Sequence, residues 1–281
     1  MSTTTDRGQS AYLMEHPGEG RRLEQKTKRD ETLAQLLMFD LRRGSKALDA
    51  GAGTGAVARV MAELVGPDGA VYALDSSEQR IREGSQLAGA SSELHFVCGD
   101  ILDPPFEPST FDFVWCRFVL QHLPDPGPAV ESLIRLLCPG GRLVLGDLDG
   151  HGLRHYPISD RLQSNLDKLA PALKGRQDPF MGRKLYHLCH SAGLQDIQVH
   201  VLPYHVYAGA APESDVQNWA TKLAIARPAM ERAFDSKAEY EIFAREFLEL
   251  LRDPGVFTYS SLILASGIKR RESQRGSNSP D

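Results

Sequence analysis

A glycine-rich segment at residues 47–55 has the clearest chemical potential in this 281-residue chain. Its sequence, ALDAGAGTG, places Asp49 after a short apolar run and then Gly51, Gly53 and Gly55 at every second position. Glycine permits sharp turns and lets a ligand approach the backbone closely. Apolar residues at helical spacing follow at once: Val57, Val60, Met61, Leu64 and Val65. A strand, a glycine turn and a helix are therefore predicted, which is typical of a nucleotide-type site.

The loop by itself is compatible with two classes of ligand. The run from Gly51 to Ala56 matches a dinucleotide fingerprint, so a nucleotide-dependent oxidoreductase is one alternative. Asp49 favours the other class, because a carboxylate at this strand end would repel a pyrophosphate but suits a cationic amino group. Gly55 suits close contact with an uncharged sugar. The loop thus favours a ligand that carries an amino group and a sugar.

A second acid ends the next predicted strand, which runs from Ala70 to Asp75. In a doubly wound sheet, ligands bind at the carboxyl ends of the strands, where a carboxylate can accept both ribose hydroxyls. Asp75 lies 24 residues after Gly51, which suits this role. It could also cap the helix predicted over residues 77–88, and the two roles can coexist.

Four motifs, in chain order, resemble those of the class I S-adenosylmethionine-dependent methyltransferases. They are LDAGAGTG at 48–55, GDI at 99–101, FDFVWCRFVLQHLPDP at 111–126 and LCPGGRLVLGD at 137–147. The later motifs are most similar to the ubiquinone/menaquinone-biosynthesis-like and natural-product branches. The resemblance implies methyl transfer from S-adenosyl-L-methionine to an O, N or C atom of a small-molecule acceptor, in natural-product or quinone biosynthesis. A cofactor-binding protein without methyl transfer is a further alternative.

The resemblance also implies roles for single residues. In this family an acid after the third strand accepts the adenine amino group and the next residue's backbone contacts the ring, which assigns Asp100 and Ile101; a turn aspartate is the simpler interpretation of Asp100. A tyrosine and a basic residue near the N-terminus close over the cofactor's methionine end, and Tyr12 and Arg22 match them. An amphipathic helix that only covers the sheet edge fits this segment equally well. The predicted cofactor contacts are Tyr12, Arg22, Asp49, Gly51, Gly53, Gly55, Asp75, Ser76, Asp100, Ile101 and Cys116.

His122 and Arg117, which follow the fourth predicted strand, are the candidates for catalysis. Methyl transfer from a sulfonium needs mainly alignment and a dry site. Histidine titrates near neutral pH, so His122 is predicted to take the proton of the acceptor, although packing beside a helix end is the competing interpretation. Arg117 is predicted to contact the acceptor above the transferred methyl group.

Strands alternate with helices along the chain, which predicts an α/β fold: a doubly wound, mostly parallel sheet of about seven strands with a helical lid. The lid is predicted because an insertion of about 50 residues exceeds an ordinary connection and is usually functional. The predicted divisions are N-terminal cap helices at 1–45, a cofactor-binding core at 46–204, the lid at 205–254, a final core strand at 255–268 and a disordered tail at 269–281.

Composition narrows the choice of partners. The net charge of −5 gives no bulk electrostatic reason to bind nucleic acid or an anionic membrane. No apolar run approaches the roughly 18 residues of a membrane span and the polar start lacks a signal-peptide order, so a cytoplasmic location is expected. No metal site is predicted, because the acids and histidines between Asp147 and His155 lack further ligands. A small-molecule acceptor is the predicted partner, and a homodimer is left open.

Overall fold

The computed structural model describes residues 19–150 and 153–271, and within them one mixed sheet of eight strands forms the core. The strands are β1 (Lys46–Ala50), β2 (Ala70–Asp75), β3 (Leu94–Cys98), β4 (Phe111–Arg117), β5 (Leu137–Leu148), β6 (Arg154–Tyr156), β7 (Gln195–Ala208) and β8 (Phe257–Ile268). They lie in the order β3-β2-β1-β4-β5-β8-β6, with β7 paired to β8. The predicted fold class is confirmed, and the short β6 is the strand beyond the predicted seven.

The first five strands form the parallel part of the sheet. β1 pairs with β2 on one side and with β4 on the other, so the strand order reverses at β1. Parallel strands end at the same edge of a sheet, which brings together Asp49 of β1, Asp75 of β2 and Arg117 of β4. Ligand sites in such sheets form in the crevice at this switch point.

The strand β8 runs antiparallel between β5 and β7. β7 continues to Ala208, and its residues 206–208 pair in register with Phe257 to Tyr259 of β8. Residues 205–208, which were predicted to begin the lid, therefore prolong a sheet strand. The ladder of hydrogen bonds to β8 keeps this segment extended.

Helices cover both faces of the sheet. They are α1 (Glu19–Lys26), α2 (Arg29–Leu37), α3 (Ala56–Val65), α4 (Glu78–Ala88), α5 (Gly127–Leu136), α6 (Asp160–Ala172), α7 (Leu185–Ser191), α8 (Glu213–Met230) and α9 (Lys237–Arg252). One apolar cluster joins α2 and α3 to the sheet through side chains such as Leu36 and Met61. A second cluster joins α5 and α7 to the sheet through Leu133 and Leu185. The glycine loop is thus held between a buried strand and a buried helix.

Three helices, α6, α8 and α9, build a cap with an apolar core of its own. α6 contributes Leu162, Leu166 and Leu169 at helical spacing to the cluster that contains Phe243 and Phe247 of α9. The predicted lid began at residue 205 and omitted α6, which was assigned to the core. The structure differs because the apolar stripe of α6 packs in the cluster formed with α8 and α9, and α6 contributes to neither of the two clusters that join helices to the faces of the sheet.

Candidate active site

A cavity of about 760 Å³ lies at the carboxyl ends of β1, β2 and β4, a volume typical of a ligand site. We name two parts of its lining; other lining residues, among them Arg22, Lys26, Arg117 and His122, come from α1, β4 and the turn that follows β4. The nucleotide half consists of Asp49, Gly51 to Thr54, Ala56, Val57, Leu74 to Ser76 and Gly99 to Ile101. The cap half consists of residues from the end of β7 and from α8: Tyr204 to Ala208, Asp215, Asn218, Trp219, Lys222, Leu223, Ala226 and Met230.

The glycine loop turns sharply at the end of β1, and its three glycines, Gly51, Gly53 and Gly55, all have positive φ. Gly51 has φ +75°, and a Cβ atom there would lie 2.2 Å from Cγ2 of Val119. The N–H groups of Gly51 and Ala52 both donate to the carbonyl of Leu74, at 2.8 Å. Only glycine adopts this conformation at such close range without strain. The loop therefore presents backbone to the cavity, as the sequence predicted.

Asp49 is a buried carboxylate that lines the nucleotide half of the cavity. Its Oδ2 atom has no hydrogen-bond partner among the residues that the structure describes. Burial raises the pKa of Asp49 to about 7, while the nearby guanidinium of Arg117 opposes the shift. An unsatisfied buried acid is unfavourable, and a cationic ligand would supply the missing partner. This observation fits the amino group that Asp49 was predicted to bind.

Asp75 organises the second strand end. Its Oδ2 atom accepts from the N–H of Gly53 at 2.8 Å, and its Oδ1 atom accepts from the N–H of Ser77 at 2.9 Å and from Nε of Arg80 at 3.2 Å. Ser77, whose side chain accepts from the N–H of Arg80, is the N-cap residue of α4. The alternative role of Asp75 as the helix cap is therefore wrong, and the carboxylate instead ties the glycine loop to β2 beside the cavity.

The third strand end contributes Asp100 and Ile101, which line the cavity together with Ser76. Oδ1 of Asp100 accepts from the N–H of Leu102 at 2.9 Å. Asp100 is therefore a turn aspartate, as the simpler interpretation predicts, and the turn involves one of its two carboxylate oxygens. Three acids, Asp49, Asp75 and Asp100, thus line one wall of the cavity in the order of their strands.

Two predicted cofactor residues lie outside the cavity lining, which corrects their assignment. Gly55 is the N-cap residue of α3 with φ +74°, and a Cβ atom there would lie 2.6 Å from Cε1 of Phe96. Its role is close packing of helix against strand. Cys116 is buried in the cluster with Leu48 on one face of the sheet. Its neighbours on β4 line the cavity instead, because successive side chains of a strand point to opposite faces.

The N-terminal assignments have different outcomes. Tyr12 lies outside the described residues. Arg22 lines the cavity and makes a double ion pair with Glu19, with Nε–Oε2 and Nη2–Oε1 distances of 2.7 Å and 2.5 Å. α1 therefore contributes to the site and does more than cover the edge of the sheet.

Arg117 and His122, the two catalytic candidates, both line the cavity. Arg117 donates to Oε1 of Gln35 at 2.6 Å, and its guanidinium carbon lies 5.2 Å from the centre of the Phe118 ring. His122 lies in a single 3₁₀ turn formed by residues 120–122. Burial lowers the pKa of His122 to about 3, and the positive charge of Lys26 adds to the shift. The expectation that His122 titrates near neutral pH is therefore wrong, since the imidazole is neutral throughout that range.

Sequence patterns missed most of the polar residues in the cap half. Apolar periodicity indicated that Trp219 and Leu223 belong to a covering helix, but it did not show which side chains of that helix face the cavity. His205 and Lys222 also line the cavity, yet they lie outside the recognisable motifs. Within residues 19–150 and 153–271, no group of His, Cys, Asp or Glu side chains is arranged to hold a metal ion. None of the helices in this part of the chain is long and apolar enough to span a bilayer.

Comparison with known proteins identifies similar chains. Residues 48–145 match the model of a family described as "Methyltransferase domain". The demethylmenaquinone methyltransferase of Bacillus mycoides (strain KBAB4) is 30% identical over 197 residues, which cover 64% of this chain and 83% of that enzyme. The matched region contains the strand ends that form the nucleotide half.

Solved structures share the fold at lower sequence identity. A putative methyltransferase from Bacillus halodurans C-125 superimposes with a TM-score of 0.57 and 19% identity, covering 85% of this chain and 98% of that one. The phosphoethanolamine N-methyltransferase 2 of Haemonchus contortus, solved with S-adenosyl-L-methionine, gives a TM-score of 0.54 and 20% identity, covering 86% of this chain and 53% of that one. At these identities the likeness concerns the fold.

Proposed function

Because the chain belongs to the class I S-adenosylmethionine-dependent methyltransferases, in their quinone-biosynthesis-like branch, we propose that its acceptor is a small molecule bound in the cap half of the cavity. One observation carries this proposal: the same cavity extends from the acids of the nucleotide half to the aromatic side chains of the cap half. A small acceptor held beneath α8 would lie beside the cofactor and away from water. The similarity to a demethylmenaquinone methyltransferase supports a role in quinone or natural-product biosynthesis.

The nucleotide half fits S-adenosyl-L-methionine, the cofactor of the family. Asp49 would accept the amino group of the methionine part, and Asp75 would accept the ribose hydroxyls. Asp100 and the backbone of Ile101 would contact adenine, with Ser76 beside them. The unsatisfied Oδ2 atom of Asp49 supports this orientation, because it lacks a hydrogen-bond donor and an ammonium group would supply one at that strand end.

The chemistry requires little from the protein beyond alignment and exclusion of water. When bound, the cofactor would supply an electrophilic methyl group on a positively charged sulfonium. An electron pair on O, N or C of the acceptor would form a bond to the methyl carbon in line as the C–S bond breaks, with S-adenosylhomocysteine as the leaving group. Alignment alone can lower such a barrier by about 7–11 kcal/mol. The apolar rings of Phe118, Tyr204 and Trp219 line the cavity and would keep water from the acceptor. His122 would take the proton that an acceptor hydroxyl or amine releases, and Arg117 would help to orient the acceptor.

Replacing Asp75 by alanine is expected to weaken binding of S-adenosylhomocysteine by about one to two orders of magnitude. The loss of hydrogen bonds to a charged acceptor costs roughly 1.5–3 kcal/mol. Isothermal titration calorimetry measures the affinity, and thermal unfolding shows whether the variant is folded, because Asp75 also holds Gly53. The exposed Asp68→Ala is the matched control. Wild-type affinity in a folded Asp75→Ala protein would contradict the ribose assignment.

The proposed function is tested by incubating the purified enzyme with methyl-labelled S-adenosylmethionine and metabolite extracts, followed by mass spectrometry. Transfer of the label to a low-molecular-weight product is the expected result. The proposal would be overturned if the label appeared only in protein or nucleic acid. It would also be overturned if the label stayed in the unchanged cofactor although the enzyme binds S-adenosylhomocysteine.

A further inference from the structure

Three cationic side chains from separate elements line the cavity: Lys26 of α1, Arg117 of β4 and Lys222 of α8. The amino groups of both lysines lie over aromatic rings, with Nζ of Lys26 4.4 Å from the centre of the Phe118 ring and Nζ of Lys222 4.1 Å from that of Trp219. Such contacts stabilise a cation without neutralising it. The part of the cavity between α1, β4 and α8 is therefore lined by three basic groups.

Other cations around the cavity have anionic partners. Arg22 pairs with Glu19, Arg80 pairs with Asp75, and Lys28 lies 2.9 Å from Glu31. Among the described residues, no carboxylate lies within ion-pair distance of Nζ of Lys26 or of Lys222. The nearest acid of α8, Asp215, accepts a hydrogen bond from the Tyr207 hydroxyl at 2.8 Å. Within the described part of the chain, the two lysines therefore have no ion-pair partner, and Arg117 has only the neutral Gln35 as a hydrogen-bond acceptor.

The protonated form of these lysines is unfavourable in the ligand-free protein. Burial lowers the pKa of Lys222 to about 7, and the positive charge of Arg22 contributes in the same direction while Glu19 and Asp215 oppose it. Burial, together with Arg22, Lys222 and Arg117, also lowers the pKa of Lys26 well below its usual range. An anion bound between these groups would favour their protonated forms and so offset both the desolvation and the mutual repulsion.

A neutral donor beside Lys222 is compatible with the same kind of ligand, because a carboxylate oxygen is a hydrogen-bond acceptor. Nε1 of Trp219 is buried and has no hydrogen-bond partner among the described residues. An indole N–H can only donate, so it needs an acceptor atom when buried. Lys222 and Trp219, on one helix, therefore offer donors that the described protein does not use.

The carboxylate of the cofactor does not account for all of this charge. This carboxylate belongs to the amino-acid end of the cofactor, which Asp49 would bind. Arg117 is the cation closest in effect to Asp49, because after burial it has the largest influence on the pKa of that residue. Lys222 lies on α8 in the cap half, and the charges that act on it are Arg22, Glu19 and Asp215. A cofactor carboxylate near Asp49 and Arg117 would leave the half-buried Lys222 without an anionic partner among the described residues.

We propose that the acceptor is an aromatic or largely apolar molecule with one carboxylate group, which Lys222 and the Trp219 N–H bind while Lys26 contributes attraction. Trp219, Tyr204, Leu223 and Met230 would contact its body. This inference rests on the proposed methyl transfer to a small molecule, and it adds the charge of the acceptor.

The test measures binding of matched acids and amides to protein saturated with S-adenosylhomocysteine. The probes are benzoate, 4-hydroxybenzoate and indole-3-carboxylate, each compared with its neutral carboxamide by calorimetry. At least one acid is expected to bind about tenfold or more tightly than its amide, as for a charge-assisted hydrogen bond. Lys222→Met should weaken binding of that acid about tenfold or more without changing binding of the amide. Lys222→Arg should retain the preference, and Trp219→Phe should reduce it.

The exposed Lys237 of the same cap, replaced by methionine, is the matched control and should leave acid binding unchanged. Unchanged affinity for S-adenosylhomocysteine shows that each variant is folded. Equal binding of acids and amides, no binding of any acid, or wild-type acid binding by Lys222→Met would each overturn the inference. These measurements need no turnover. Absence of labelled product would therefore refute the proposed function, whereas labelled product with no preference for acids would refute only this inference.

Discussion

Asp49→Asn is expected to weaken S-adenosylhomocysteine binding by roughly 30-fold or more at pH 8, the largest effect that the structure predicts for a cofactor residue. Truncating one partner of a buried charge pair costs about 2–5 kcal/mol. Asp49 is buried and Oδ2 lacks a partner among the described residues, so the amino group of the ligand would be its principal counter-charge. Calorimetric titration with S-adenosylhomocysteine measures the difference.

The same residue makes cofactor binding depend on pH. The pKa of Asp49 is raised by burial to about 7, so this carboxyl is mostly protonated in the free protein below pH 7. It must then lose its proton before it can pair with the amino group of the ligand. Wild-type affinity should therefore fall about tenfold between pH 8 and pH 6, while Asp49→Asn should show no such dependence. The exposed Asp103→Asn should behave as wild type. Equal affinity of Asp49→Asn and wild type at pH 8 would remove Asp49 from the site.

Stability without ligand should change in the opposite sense. The folded-state pKa of Asp49, about 7, lies above the unfolded value of about 3.9, so folding binds a proton between these values. The resulting stability is fully present below about pH 4 and is lost as pH rises towards 7. Above pH 7 the folded protein contains a buried charge, and Asp49→Asn removes it. The ligand-free variant should accordingly unfold at a higher temperature than wild type at pH 8, as calorimetric scans would show.

His122→Ala is expected to lower methyl transfer by at least about tenfold near neutral pH, with S-adenosylhomocysteine affinity unchanged. Assistance by a general base typically contributes about 10²–10⁴-fold. Burial lowers the pKa of His122 to about 3, so the imidazole is neutral but weakly basic, and it would take the proton only as the attacking O or N atom of the acceptor gains positive charge in the transition state. The wild-type pH profile should therefore lack an inflection near 6.5 from this residue. Alkaline pH should partly restore the variant, because the acceptor then ionises by itself.

Measurements on matched variants separate this role from packing. His122→Gln keeps a polar group but cannot take the proton, so it should resemble His122→Ala in turnover. The exposed His187→Ala should resemble wild type. A packing role would instead give a lower unfolding temperature with nearly normal turnover in the folded protein. If His122→Ala had wild-type turnover from pH 6 to 9, His122 would not be the general base, and alignment alone would be the mechanism.

The local sequence was sufficient for the nucleotide half of the cavity. Asp49, Gly51 and Gly53 lie within one strand and turn, and their conformation depends mostly on residues next to them in the chain. Asp75 and Asp100 could be assigned to the same site because parallel strands end at one edge of a sheet, whatever packs on its faces. Alternation of strands and helices predicted that sheet. These inferences need only short-range periodicity and one topological rule.

Only the tertiary structure decided which side chains reach the cavity. Gly55 packs against Phe96 at the start of α3 and does not line the cavity. Cys116 faces the apolar core, because successive side chains of β4 point to opposite faces of the sheet. The pKa of His122 is lowered by burial, which no local pattern encodes. Lys222 belongs to no motif, and it becomes part of the site because packing of the cap places α8 over the strand ends. The charge of the cap half is a product of long-range contacts, and so is the acceptor chemistry that we infer from it.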